Sequence, residues 1–213
     1  MPTKKVEIVR PEAETIRVHI AGTALLLTNR FSEKAIQQIK DGEAGIKRPR
    51  MPRDPQSDYE QSRHVIDAAA GRFGFPTVAM KKAIVTAGGR LMKDTMTVLR
   101  AAVYVRGNTS DGRLIEIHGM PPSMSEDPAH LPSGGWTMAY RATYEEWEAI
   151  FDITYFKHIV PPGRLITLIQ LAGETIGIGA WRPETNGTNG TFKLAEAPSV
   201  LEKYNFDEEG TAA

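Results

Sequence analysis

The chain has 213 residues, 41% of them hydrophobic, and its 26 Lys and Arg are balanced by 26 Asp and Glu. That is enough apolar content for one substantial core, and zero net charge excludes a protein that coats nucleic acid by bulk charge alone. No run of 18 apolar residues occurs, residues 1–10 have no signal-type apolar stretch, and there is no cysteine; a membrane span, a disulfide framework, a thiol nucleophile and a thiolate metal site all drop out, and the cytosol is the expected compartment.

The charge is unevenly placed. Residues 1–106 hold 19 Lys and Arg against 11 Asp and Glu, and residues 107–213 hold 7 against 15. Such a split can steer a polyanion to one face or let copies of the chain meet head to tail.

In chain order, Ile16, Val18 and Ile20 alternate with polar residues and lead into Leu25-Leu26-Leu27, a first strand broken near Gly22. Ala35, Ile36 and Ile39 predict a short helix ending by Gly42. Residues 43–62 are polar, carry Pro49, Pro52 and Pro55, and concentrate Lys47, Arg48, Arg50 and Arg53; they read as a basic insertion without regular structure. Pro76 is expected at the first position of a helix with Val78, Met80, Ala83, Ile84 and Ala87 on one stripe, closed by Gly88-Gly89. Strands are expected from Met96 to Val105 and from Arg113 to His118, joined as a hairpin through Gly107–Gly112. Residues 119–135, rich in proline, read as a long loop.

Trp136, Met138 and Tyr140 alternate, as do Trp147, Ala149, Phe151, Ile153 and Tyr155, giving two more strands. Pro161-Pro162-Gly163 opens a last helix with Leu165, Ile166, Leu168, Ile169 and Ala172 apolar, ended by Gly173; glycines then crowd up to a final strand at Thr191–Leu194, and an acidic tail occupies 196–213. Reduced to its core elements, the order is β-α-β-β-α-β. The expected fold is therefore α+β, with a ferredoxin-like (RRM-like) core and insertions, in a single domain over 1–195.

No complete catalytic or metal signature is present, so a binding protein is expected before an enzyme, with no cofactor and no metal. The five histidines never form H-E-x-x-H or H-x-x-E-H, and Gly173-x-x-x-Gly177-x-Gly179 follows a helix and precedes a strand, the reverse of a phosphate-cradling loop. The binding candidates are Lys47, Arg48, Arg50 and Arg53, whose guanidinium groups can chelate phosphates on a backbone kept extended by proline. Lys81 and Lys82 add charge on the second helix. Trp181 and Arg182, behind a bend of small residues, can stack a base and pair its phosphate.

Three segments carry a resemblance: Thr28-Asn29-Arg30-Phe31-Ser32-Glu33-Lys34-Ala35, Arg72-Phe73-Gly74-Phe75-Pro76 leading into Lys81-Lys82-Ala83, and Ala172-Gly173 through Ile176-Gly177-Ile178-Gly179-Ala180-Trp181-Arg182-Pro183. Together they resemble a family of uncharacterised proteins of tailed bacteriophages and prophages. The outline is also similar, more loosely, to the RAMP superfamily, the ferredoxin-like subunits of CRISPR effector complexes. Taken with the basic insertion and the charge split, the resemblance implies a phage-encoded, non-catalytic protein of the bacterial host cytoplasm that assembles head to tail along single-stranded RNA or DNA. The alternative is a counter-defence protein that sequesters a nucleotide messenger or a host defence protein, and a small nuclease with His118 or His130 as general base is a third reading.

Overall fold

The computed structural model describes residues 12–30, 33–46, 54–130 and 134–195. Its strands form antiparallel sheets and its helices pack beside them, an α+β arrangement. Strand β1 (Ala13–Gly22) ends where the sequence suggests, because a Cβ on Gly22 would stand 2.2 Å from the Trp147 indole nitrogen. Strand β2 (Leu26–Thr28) follows in a different sheet, and α1 (Glu33–Glu43) follows β2.

The end of the polar stretch 43–62 is helical, where a loop was expected. Helix α2 (Pro55–Ser62) starts with Asp54 accepting the Ser57 N–H at 3.3 Å and Pro55 at a position that needs no donor. Its attachment is polar: the Tyr59 hydroxyl donates to the Pro122 carbonyl at 2.7 Å, and the buried Ser62 hydroxyl accepts the Ala142 N–H at 2.8 Å. A helix held this way leaves no apolar period to read.

Strands β3 (His64–Asp67) and β4 (Arg72–Pro76) lead into α3 (Thr77–Leu91). Pro76 is the residue before the helix, and α3 runs through Gly88-Gly89 to Leu91. Packing keeps those glycines helical: a Cβ on Gly88 would lie 2.3 Å from Leu99 Cδ1, and one on Gly89 2.2 Å from Met96 Cγ. Both neighbours belong to α4 (Met96–Ala102), where a strand was expected. Met, Leu, Arg and Ala favour helix, and Leu99 and Ala102 bury at a spacing of three.

Only Val103–Arg106 remains as strand β5, and its neighbour is not β6 (Leu114–Glu116), which pairs with β4. The expected hairpin partner is replaced by β10 (Trp147–Phe156), which takes β5 on one edge and β1 on the other. The main sheet runs β11 (Phe192–Leu194), β1, β10, β5, with β7 (His118–Gly119) also on β10. Every pairing in it is antiparallel. Within the expected loop 119–135, Ser123–His130 forms β8, paired with β9 (Trp136–Tyr144). Pro128 is compatible with it because β8 has no second neighbour among the described residues and needs no outward donor.

Helix α5 (Pro162–Leu171) starts at the paired prolines and passes at Ala172–Ile176 into a wider turn. Val18, Ile20, Trp147, Ala149, Phe151, Ile153 and Tyr155 from the main sheet share one buried core with Met80, Ala83, Ile84 and Ala87 of α3 and Leu165, Leu168 and Ile169 of α5. Among the described residues no helix is long and apolar enough to cross a membrane.

Candidate functional site

The turn after α5 docks on the free edge of β2. Ala180 donates its N–H to the Leu27 carbonyl at 2.9 Å and Gly190 donates to Leu25 at 2.8 Å. Gly177 and Gly179 adopt φ of +69° and +79°, and a Cβ on Gly179 would stand 2.4 Å from the Leu27 oxygen, so both conformation and closeness demand glycine there.

Between this turn, β2 and the start of α3 lies a cleft of about 520 Å³, within the usual size of a small-ligand site. Leu26, Ile36, Phe75, Pro76 and Ala79 give it apolar walls; Asn29, Arg30, His64 and Arg182 are its principal polar groups. Arg30 is exposed, and its guanidinium makes no hydrogen bond or ion pair with any described residue. Burial, and after it the Arg30 charge, holds the His64 imidazole below its ordinary value of 6.5, so it is neutral near pH 7. Helix α3 presents its N-terminal end here without a side-chain cap.

Arg182 is not a free cation. Its Nε and Nη2 donate to Glu184 Oε2 at 2.9 and 2.5 Å, and its Nη1 donates to the Gly179 carbonyl at 2.9 Å. Glu184, whose side chain is 8% exposed, also faces Lys82 at 3.7 Å and Arg90 at 3.4 Å. Burial by itself would raise its carboxyl, but the Arg182 hydrogen bond and the charges of Arg182, Lys82 and Arg90 outweigh it and hold the group below its ordinary value. A smaller hollow of about 140 Å³ lies beside this cluster, lined in part by Lys82, Gly177, Gly179, Arg182 and Glu184.

The other residues read from the sequence are dispersed. Lys82 joins Arg182 on Glu184, whereas Lys81 places its ammonium 4.6 Å from the centre of the Tyr104 ring. Trp181 lies 5.6 Å from the Arg141 guanidinium carbon, while its neighbours Ala180 and Arg182 line the cleft. Lys47, Arg48, Arg50 and Arg53 lie outside the described residues, as does the 196–213 tail.

Arg30, His64 and Arg141 were not selected from the sequence. Arg30 lies in the Thr28–Ala35 segment, singled out for its resemblance but not as a binding residue, and nothing in the alternation of β9 distinguishes a half-buried arginine from an exposed one.

A second polar cluster is shared between the main sheet and the β4–β6 pair. His19 Nε2 meets the fully buried Glu148 at 2.7 Å, and Arg72 forms a two-pronged pair with the buried Glu116 at 2.7 and 2.6 Å. His118, also buried, is held below the ordinary histidine value first by burial, with Arg72 and His19 adding to it and Glu116 and Glu148 opposing. Among the described residues no group of three or more His, Asp or Glu is placed to hold a metal ion.

No family model matches the chain, and no curated protein does. Among solved structures it is similar to Cmr6 from Pyrococcus furiosus at 9% identity, over 86% of this chain and 99% of that one, with a TM-score of 0.41. A likeness of that size carries no functional weight.

Proposed function

We propose that the protein is a non-catalytic binder of phosphate-bearing ligands, with single-stranded nucleic acid as the ligand the site favours. The observation that carries this reading is the cleft itself. Arg30, which has no hydrogen bond or ion pair with any described residue, the N-terminal end of α3, which has no side-chain cap, and a neutral His64 able to gain a proton converge on a hollow whose other walls are apolar. Anions gain from a helix N-terminus and a guanidinium together, and bases gain from apolar walls. The basic segment with Lys47, Arg48, Arg50 and Arg53 would extend the phosphate track, and head-to-tail copies would repeat it along a strand.

The strand order β11-β1-β10-β5 with antiparallel pairing supports reading β1, α3, β5, β10, α5 and β11 as a ferredoxin-like core, the fold expected of a RAMP-like protein. The cleft volume of about 520 Å³ also suits a second reading, a single nucleotide held as a sequestered messenger.

Fluorescence anisotropy with labelled oligo-dT and oligo-U at 50 and 200 mM salt tests the first reading. Binding that weakens with salt, and that Arg30→Ala weakens at least tenfold, supports it; binding indifferent to salt, or none, rejects it. Thermal stabilisation by a cyclic nucleotide without oligomer binding would establish the second reading instead.

A further inference from the structure

The arginine beside Trp181 in sequence is fully engaged, but the arginine beneath it is not. Arg141 Nε and Nη1 are buried and make no hydrogen bond with any described residue. Asp127 acts on Arg141 only through its charge, while its Oδ2 accepts the Ser125 hydroxyl. Ser125 is the register partner of Arg141 on β8, so both neighbouring polar groups of that strand leave the fork unfilled. Burial accordingly holds the Arg141 guanidinium below its ordinary value, with Asp127 opposing.

What covers Arg141 is a side chain on a fixed backbone. Trp181 has a left-handed φ of 53°, its carbonyl accepts the Asn189 N–H at 3.0 Å, and Gly187 packs so closely that a Cβ there would stand 1.7 Å from the Trp181 oxygen. The indole, in contrast, is 40% exposed and outside the core. The backbone cannot shift easily, and the ring can turn. A guanidinium desolvated with two donors idle gains from an anion what its own fold does not give it, and a non-glycine residue held at positive φ is the kind of local outlier that points to function.

We infer that Arg141 is a second anion-binding residue of the site, covered by Trp181 in the free protein, and that a phosphate of the bound strand displaces the indole to reach the guanidinium. The inference rests on the phosphate-binding reading and adds to it a residue, a covering side chain and a movement. Trp181 then serves as both cover and stacking surface, since an indole swung off Arg141 offers a face to the adjoining base.

The test uses full-length protein labelled with 5-fluorotryptophan, whose three resonances are sorted with Trp181→Phe, and titrated with oligo-dT or oligo-U of ten residues. In the wild type the Trp181 resonance is expected to shift on saturation. In Arg141→Met, which keeps the length and apolar stem, melting temperature is expected to hold or rise while affinity falls at least tenfold and the Trp181 shift disappears. Wild-type affinity in Arg141→Met, or a Trp181 resonance unmoved at saturation in the wild type, overturns the inference. If Arg141→Met fails to fold, the wild-type Trp181 resonance decides alone. Loss of binding in Arg30→Ala with none in Arg141→Met defeats this inference and leaves the cleft reading standing; no binding by the wild type defeats both.

Discussion

Arg182 follows Trp181 in the chain and Arg141 faces its ring, and the two arginines have opposite surroundings. Every side-chain nitrogen of Arg182 has an acceptor inside the protein, two prongs on Glu184 and one on the Gly179 carbonyl. Arg141 has two buried nitrogens with none among the described residues. A guanidinium with a partner at each nitrogen holds a loop in shape, here the turn bearing Gly177, Gly179 and Trp181. One whose donors are idle contributes little to the fold beyond its contact with the ring. The arginine nearest a plausible motif is therefore the structural one, and the functional candidate is the one no motif marks.

The largest effect should come from breaking the structural side. Arg182→Ala leaves the buried Glu184 with only the longer contacts to Lys82 and Arg90, and a loss of roughly 3 kcal/mol in urea unfolding is expected. A loss under about 0.5 kcal/mol would place Arg182 among weak surface pairs and erase the contrast with Arg141. Glu184→Gln comes next. It removes the charge on which Lys82, Arg90 and Arg182 converge, should cost about 2 kcal/mol, and should tighten oligonucleotide binding a few-fold, since three cations beside the cleft lose their internal partner. Weaker binding in that variant would mean the cluster acts through the shape of the turn alone.

How far the sequence carried this picture follows from what kind of force builds each part. The β10 strand and the α5 helix were legible because burial on one face imposes a period: Trp147, Ala149, Phe151, Ile153 and Tyr155 at every second residue, Leu165, Leu168 and Ile169 at helical spacing. Helix α2 was not, since its anchors are the Tyr59 and Ser62 hydroxyls. Strand β8 was hidden by Pro128, tolerated because that edge has no neighbour among the described residues. In the site, the glycine turn could be read from composition as a place of close approach for a ligand; the group that approaches it is the β2 backbone. That Arg182 would be consumed by Glu184 two residues on, while Arg141 from a distant strand came under Trp181, depends on tertiary placement that no local spacing encodes.

The pH response separates cleft from fold. His64 lies below its ordinary value in the free protein, so an anion that welcomes its proton should bind a few-fold more tightly as pH falls from 7.5 to 6, and His64→Gln should flatten that rise. Stability should move the other way. Above 6.5 the imidazoles of His64 and His118 are neutral both folded and unfolded; below it the unfolded chain takes up protons first, so stability declines with falling pH in chemical denaturation. In His64→Gln the His118 part of that decline remains. A stability that rose on acidification would contradict the burial of both rings.

The smallest change should be Lys82→Ala. Lys82 shares Glu184 with Arg182, so a simple count of ion pairs would rank the two alike. Its ammonium stands 3.7 Å from the carboxylate and its side chain is 62% exposed, against 22% for Arg182 with contacts as short as 2.5 Å. Water competes for an exposed ammonium, and a long flexible stem loses entropy when held, so exposed pairs of this kind contribute within about 0.5 kcal/mol. Lys82→Ala should therefore leave the unfolding midpoint nearly unchanged while lowering oligonucleotide affinity by no more than the loss of one peripheral cation, seen as a shallower salt dependence. If Lys82→Ala instead cost as much as Arg182→Ala, the carboxylate would be balanced by charge count alone, and the distinction between engaged and idle guanidinium groups would lose its physical basis.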